Sequence, residues 1–404
     1  MNLQLLKQWF RELEPVGADP EGGVTRLAYT AEEDAMFEKV AGFASALGFS
    51  VTEDCIGNMF ISFPDGTDRP CHMVGSHLDS VPRGGRYDGV VGVLAGLLVM
   101  EKILRLGLSI PVKTAAFRAE ESSLYGLATA GSGTAAGSID AVRLRNAKSL
   151  SGDSLYDTMT RKGYAPGSCR LEPVIDFTEL HIEQGRVLWE AKEPLGVVTA
   201  IAAPTRLKVT IHGRQDHSGA TPMDLRKDGL CAAAEIILGT EQAGNAEAAH
   251  ATVATVGVAH VRPNALNVVP GLVELRIDIR GILKESISRT VGAVRNTIRE
   301  TELQRGILCE VETLSSMDPV TLAPSVIDSL AGAAEKTGVP FRRMASGAGH
   351  DAMKVAAVAP AGMLFIPCRE GISHNPGEEA SLEDVALGAE ILLEALKIRR
   401  HMGV

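Results

Sequence analysis

The sequence predicts an α/β protein in which a large, discontinuous α/β domain is interrupted by a smaller ferredoxin-like α+β domain. Three observations predict it. The chain has 404 residues, more than one ordinary hydrophobic core accommodates. Strand and helix patterns alternate through the first half, as in a sheet covered by helices. Between about residues 206 and 318 the order changes to β-α-β-β-α-β, that of a compact ferredoxin-like unit.

Element by element, residues 3–13 place Leu6, Phe10 and Leu13 on one helical side. Thr30 with Glu33 three residues on reads as a capping box. Met36, Val40, Ala44 and Leu47 keep helical spacing behind it, and Gly48 is the stop. Short strands are expected near 49–53 and 58–63, with Asp65-Gly66 as a turn, then a strand at 71–76 and a helix at 90–106. Further strands are expected at 113–117 and 173–180. Past residue 205, RLKVTIHG alternates with Leu207, Val209 and Ile211 on one face. A helix with Cys231, Ala234 and Ile237 follows, then the strand ATVATVGVAH. GLVELRIDIR alternates again, burying Val273, Leu275, Ile277 and Ile279, before a helix near 284–303 and the strand ILCEVET. SSMDPV is the exit linker. A helix near 324–337, the strand GMLFIP and a helix from about 382 resume the first texture. The large domain is thus expected over 1–205 and 319–404, with 206–318 inserted.

Forty basic against fifty acidic residues leave a net charge of −10, a poor match for nucleic acid, whose phosphates demand a basic face. The longest apolar stretch, near 90–100, is short and glycine-interrupted, so no membrane span is expected. The N-terminal MNLQLLKQWFRELEP lacks a signal-peptide core. The six cysteines are scattered, with no C-x-x-C pair. A reduced, cytoplasmic protein is the expectation.

The chemistry collects at predicted strand ends. GSHLDS brings His77 and Asp79, and GGRYDG brings Asp88. FRAEES brings Glu120 and Glu121, ELHIEQG brings His181, Glu183 and Gln184, and SHNPGE brings His374. Gly and Asp alone would make ordinary turns. Four strand ends that each deliver a histidine or an acid instead mark the edge where open α/β sheets place their sites. Three imidazoles with carboxylates, and no sulfur, form a donor set for borderline divalent metals. Five such groups are too many for one open tetrahedral zinc and suit two metals sharing a carboxylate, an arrangement that activates water. Glu120, beside a ligand, is placed to take a proton.

These motifs, with HSGATPM, resemble those of the co-catalytic metallopeptidase-like amidohydrolases. The branch most similar holds N-carbamoyl-L-amino-acid hydrolases, β-ureidopropionases and allantoate amidohydrolases. The resemblance runs from GGVTRL to the C-terminus. It implies two divalent metal ions per subunit, with zinc the default and manganese, cobalt or nickel possible. His77, Asp88 and His181 would hold one ion; Asp88, Glu121 and His374 would hold the other, with Asp88 bridging. Glu120 would be the general base and Asp79 would orient His77. In the inserted domain, His217, Asn267 and Arg280 would form a lid that binds substrate, with His217 stabilising the oxyanion and Arg280 forking the substrate carboxylate. Read from its strand alone, Arg280 is a solvated face residue. Gln184 and Gly349 match substrate-contacting positions, and His350 lies in the same SGAGHDA loop. The inserted domain would act as lid and homodimer interface. EESSLYG departs from the usual family pattern after the acid pair, so Ser122, Leu124 and Tyr125 are expected near the pocket wall. An aminoacylase or dipeptidase on the same scaffold is the alternative.

Overall fold

The structure, a computed structural model, describes residues 1–64, 70–167 and 169–401. The expected Asp65-Gly66 turn lies outside the described residues. Two compact units emerge, residues 1–199 with 322–404, and residues 200–321.

In the first unit the central strands are Val112–Phe117, His72–His77, Asp176–Ile182 and Ala361–Ile366, in that spatial order and all parallel. Met59–Ser62 and Ser50–Glu53 extend one side antiparallel. Gly196–Ile201 runs antiparallel beside Ala361–Ile366 and also pairs Val320–Thr321, where the chain returns. The central strands are buried along their whole length, as parallel strands covered on both faces must be. From His72–His77 the chain crosses to a neighbour on one side, and later to Asp176–Ile182 on the other. The strand order therefore reverses at His72–His77, which opens a crevice at its carboxyl end.

The helix Val90–Leu106 covers the sheet. It carries glycine where it meets the strands: a Cβ on Gly96 would lie 2.7 Å from Thr114 Oγ1. Such close approach brings the helix N-terminus, and Asp88 just before it, down to the strand ends. Helices Leu3–Leu13 and Ala31–Ala46 form as the periodicity predicts. The Thr30 capping box does not. Thr30 makes no side-chain cap; its hydroxyl donates to Leu27 O. Glu33 is fully buried and turns to Arg118. A carboxylate without water gains more from a cation than from an exposed cap.

The second unit is a four-stranded antiparallel sheet ordered Leu308–Ser316, Ala203–His212, Leu272–Gly281, Val253–Arg262. Register pairs Val273 with Ile211, Leu275 with Val209 and Ile277 with Leu207, so one face is apolar until Thr205 opposite Ile279. A one-residue slip would invert it. Helices Gly229–Ala246 and Lys284–Arg305 cover that face. The inner stripe of the first is Ala232, Ala233, Ile236 and Ala243, with Ile237 packed alongside, while Cys231 is exposed. Apolar residues on both sides, Leu230 and Leu238 among them, disguise its face.

Two expectations meet the structure differently. No described helix is long and apolar enough to cross a membrane. The six cysteines are not all free thiols: Cys55 and Cys169 are disulfide-bonded, with Cα atoms 5.5 Å apart across 114 residues of sequence. That separation leaves no spacing signal.

Candidate functional site

His77 ends its strand and His181 is one residue from the end of the next. Glu120 and Glu121 follow the strand ending at Phe117, and His374 follows the loop after Ile366. The parallel register therefore delivers all of them to one edge. Asp88 stands between: its Oδ1 lies 3.0 Å from His181 Nε2 and 3.4 Å from His77 Nε2, and its Oδ2 lies 3.4 Å from His374 Nε2. Glu121 Oε1 is 3.0 Å from His374 Nε2. Two groups result, His77-Asp88-His181 and Asp88-Glu121-His374, each with donor atoms within 4.8 Å of one another. Asp88 belongs to both, one oxygen to each.

The surrounding hydrogen bonds orient these donors. His77 Nδ1 faces Asp79, 3.2 Å from its carbonyl and 3.4 Å from its carboxylate. His181 Nδ1 bonds its neighbour's carbonyl, Ile182 O, at 2.9 Å. Both rings are thus held with N–H outward and Nε2 inward, the tautomer a metal ligand needs. Asp79 also accepts from the backbone N–H of Glu120 and Glu121, each at 3.0 Å. Gln184 Nε2 donates to Asp88 Oδ2 at 2.9 Å and reaches His374 Nε2 at 3.2 Å. Ser373 donates to the same Asp88 oxygen, and Glu378 accepts the N–H groups of Tyr87 and Asp88. Glu378 and Ser373 stand inside the SHNPGE motif, yet only its histidine drew notice; glutamate after glycine reads as a solvated charge.

Buried charge decides the titration of the cluster. Burial pushes the Glu120 carboxyl well above the usual carboxylate range, helped by Glu121 and opposed by His77. Burial likewise raises Glu121. Burial would also raise Asp88, but the charges and hydrogen bonds of His181, His374 and His77 hold it well below its ordinary value. Hydrogen bonds to Asp88 and Glu121 lift His374 to about 10. Divalent ions fit the same donors: inward-facing Nε2 atoms, a carboxylate split between two groups, and no thiol.

A third set, Glu179, His181 and His350, is also close enough to gather an ion. Glu179, however, already accepts from Ser76 Oγ and Ala352 N. His350 is buried against the His181 ring, centroids 4.5 Å apart, and bonds Ser346 Oγ. Burial, with the charge of His181, keeps it well below the ordinary histidine value. Gly349 beside it is exposed. Glu183 accepts the N–H groups of Val187 and Leu188, which makes it a helix cap. Tyr125 is not at an open wall. Its ring is buried in a cluster with Leu144, Leu155 and Met159, with Leu124 packed alongside, and its hydroxyl bonds Thr158. Ser122 is exposed.

His217, Asn267 and Arg280 belong to the second unit. His217 Nδ1 accepts from Gly219 N and Ala220 N, each at 3.1 Å, so its hydrogen sits on Nε2 as a donor. Asn267 adjoins it: Val268 pairs with His217, and Asn267 O accepts from Ser218 N. Arg280 Nε bonds Asp278 on its own strand at 3.0 Å.

The match to peptidase family M20/M25/M40 covers residues 73–398. The N-carbamoyl-L-amino acid amidohydrolase of Geobacillus stearothermophilus is 39% identical over 398 residues, covering 96% of each chain. The ureidoglycolate hydrolase of Oryza sativa is 34% identical and covers 97% of this chain and 83% of its own. Among solved structures, an amidase of the hydantoinase/carbamoylase family from Burkholderia multivorans superposes with a TM-score of 0.92 at 34% identity, covering 98% of both.

Proposed function

The chain belongs to peptidase family M20/M25/M40, a family of metal-dependent hydrolases, and on that premise we propose that it cleaves the carbamoyl C–N bond of a small anionic ureido substrate. The substrate we favour is an N-carbamoyl-L-amino acid, which with one water gives the amino acid, ammonia and carbon dioxide. The observation that carries the reading is Asp88, whose two oxygens are divided between two histidine-containing groups with Glu120 alongside.

His77, Asp88 and His181 would hold one divalent ion, and Asp88, Glu121 and His374 a second. A bound pair supplies Lewis acidity at the carbonyl and lowers the pKa of the attacking water. Glu120 takes a proton from that water and returns it to the departing nitrogen. Burial, which raises its basicity, favours proton acceptance at this carboxylate. Asp79 and Ile182 O fix the imidazole tautomers. Gln184 and Ser373 hold Asp88 Oδ2 from the solvent side.

Residues 206–318 would serve as lid and homodimer interface. The resemblance of HSGATPM and RPNALN to the family's motifs supports this, with Arg280 forking the substrate carboxylate and Asn267 and Gly349 contacting substrate. His217 would donate from Nε2 to the oxyanion, and its tautomer suits that role. The deciding experiment is a panel of N-carbamoyl-L-amino acids, N-carbamoyl-β-alanine, allantoate and ureidoglycolate, set against N-acyl-amino acids and dipeptides. Ammonia from the ureido acids supports the reading. Cleavage confined to N-acyl-amino acids or dipeptides assigns the scaffold's aminoacylase or dipeptidase chemistry instead.

A further inference from the structure

The acid pair sits on an unusual piece of backbone. Residues 118–121 leave the strand in no repeating conformation, and Ala119 has φ 55°. That is left-handed backbone, which glycine adopts freely and alanine does not. Something must hold it there. Four consecutive N–H groups are each accepted by a side-chain oxygen. Arg118 N donates to Asn58 Oδ1 at 2.9 Å, Ala119 N to Glu33 Oε1 at 3.1 Å, and Glu120 N and Glu121 N to the two Asp79 oxygens at 3.0 Å. The carbonyls of Arg118, Ala119 and Glu120 in turn accept from Gly131, Ala130 and Thr129 at 2.6–2.9 Å.

Asp79 anchors the Glu120 end and also faces His77. The other end is anchored by a second, deeper device. Glu33 is fully buried and Arg118 nearly so. Glu33 Oε2 accepts from Arg118 Nη1 and from Tyr29 N, both at 2.7 Å. Arg118 Nε donates to Gly57 O at 2.8 Å, and its guanidinium lies over the Phe37 ring, 4.0 Å from the centroid. The pair thus ties the helix Ala31–Ala46 and the loop at Gly57 to the single N–H of the strained residue that precedes the acids. A buried ion pair of this kind is a weak source of stability compared with apolar packing, but it fixes geometry.

We infer that Glu33 and Arg118 are positioning residues for the reaction, holding Ala119 in its left-handed conformation so that Glu120 faces the reacting centre as base and Glu121 as ligand. The inference rests on the roles proposed above for those two acids. It also explains why Glu33, in a capping-box pattern, is buried and does not cap.

Glu33→Gln keeps the shape and removes the charge; should the single variant fail to fold, Glu33→Gln/Arg118→Met removes both charges, and Asp34, which also bonds Arg118 Nη1, keeps Lys162 as its partner. Two readouts are taken on folded protein, judged by circular dichroism. The first is kcat and KM with the best ureido substrate. The second is titration of metal-free protein with manganese or zinc against a competing chelator, which needs no substrate. A kcat at least tenfold lower with KM within about twofold, and about tenfold weaker uptake of the second equivalent of metal, are expected. A purely structural pair would lower the melting temperature and leave both readouts unmoved. That outcome, kcat within twofold and unchanged titration, overturns the inference. If wild-type protein hydrolyses no ureido acid, the proposed function has failed, while the metal titration still decides the clamp.

Discussion

Gly89→Ala is the sharpest test of how the Asp88 carboxylate, shared by both donor groups, is held. Gly89 follows Asp88 directly, with φ 68° and ψ −49°, and Val90 N bonds Asp88 O across it at 2.7 Å. This is the rare three-residue turn with positive φ, strained for any residue with a Cβ. Placing alanine there costs about 1–3 kcal/mol of backbone strain. The new Cβ would also lie 2.5 Å from the His77 ring, where ordinary contact begins near 3.4 Å. The ring, or Asp88, must therefore shift by about 0.9 Å. A shift of about 1 Å in a reacting constellation costs on the order of 10² in rate, equal to about 2.7 kcal/mol of barrier. Activity on the best ureido substrate, metal content by elemental analysis and the melting temperature are measured together. Activity down by about 10² with metal content reduced agrees with the reasoning. Activity within threefold of wild type, with full metal content, refutes the claim that this turn sets the bridge.

Other expectations follow from the same geometry. In metal-free protein burial lowers His77, but its bonds to Asp79 and Asp88 raise it well above the ordinary histidine value, and bonds to Asp88 and Glu121 lift His374 to about 10. These raised values stabilise the metal-free fold below the ordinary histidine pKa, and that contribution fades as pH rises through the folded values. Metal must displace those protons, so uptake tightens as pH rises. Adding metal to weakly buffered protein at pH 7 releases acid, read by an indicator dye; uptake with no proton release contradicts it. If His217 serves the partner's site in a dimer, mixing Glu121→Ala with His217→Ala chains restores up to about a quarter of wild-type activity for random exchange. No recovery despite proven exchange assigns His217 to its own subunit. Alkylation of denatured, unreduced protein should label four of the six cysteines, sparing Cys55 and Cys169; six labels remove the disulfide.

The gathering of His77, Asp88, Glu120, Glu121, His181 and His374 at one edge was legible because each stands at or just beyond a predicted strand end, and parallel register brings such ends together. The four-stranded sheet was legible because its two central strands, Ala203–His212 and Leu272–Gly281, alternate. What supports the site was not. Glu33 carries a capping signal, and only burial against Arg118 shows its other use. Tyr125 lies five residues past Glu120, yet its ring turns into a core cluster whose members come from residues 28–169. Long-range partners leave no local period. The same holds for Cys55 with Cys169 and for Glu378 beneath the Asp88 turn.

The central claim is that Glu120 moves the proton in a metal-dependent cleavage of a ureido C–N bond. The direct measurement is ammonia release from an N-carbamoyl-L-amino acid by wild type and Glu120→Gln, both assayed for bound metal before and after a strong chelator. The account predicts ammonia from the wild type, abolished by chelation, and equal metal content in the variant with turnover lower by a factor of roughly 10² or more. Activity that survives chelation, or a Glu120→Gln protein that turns over at the wild-type rate, would contradict it.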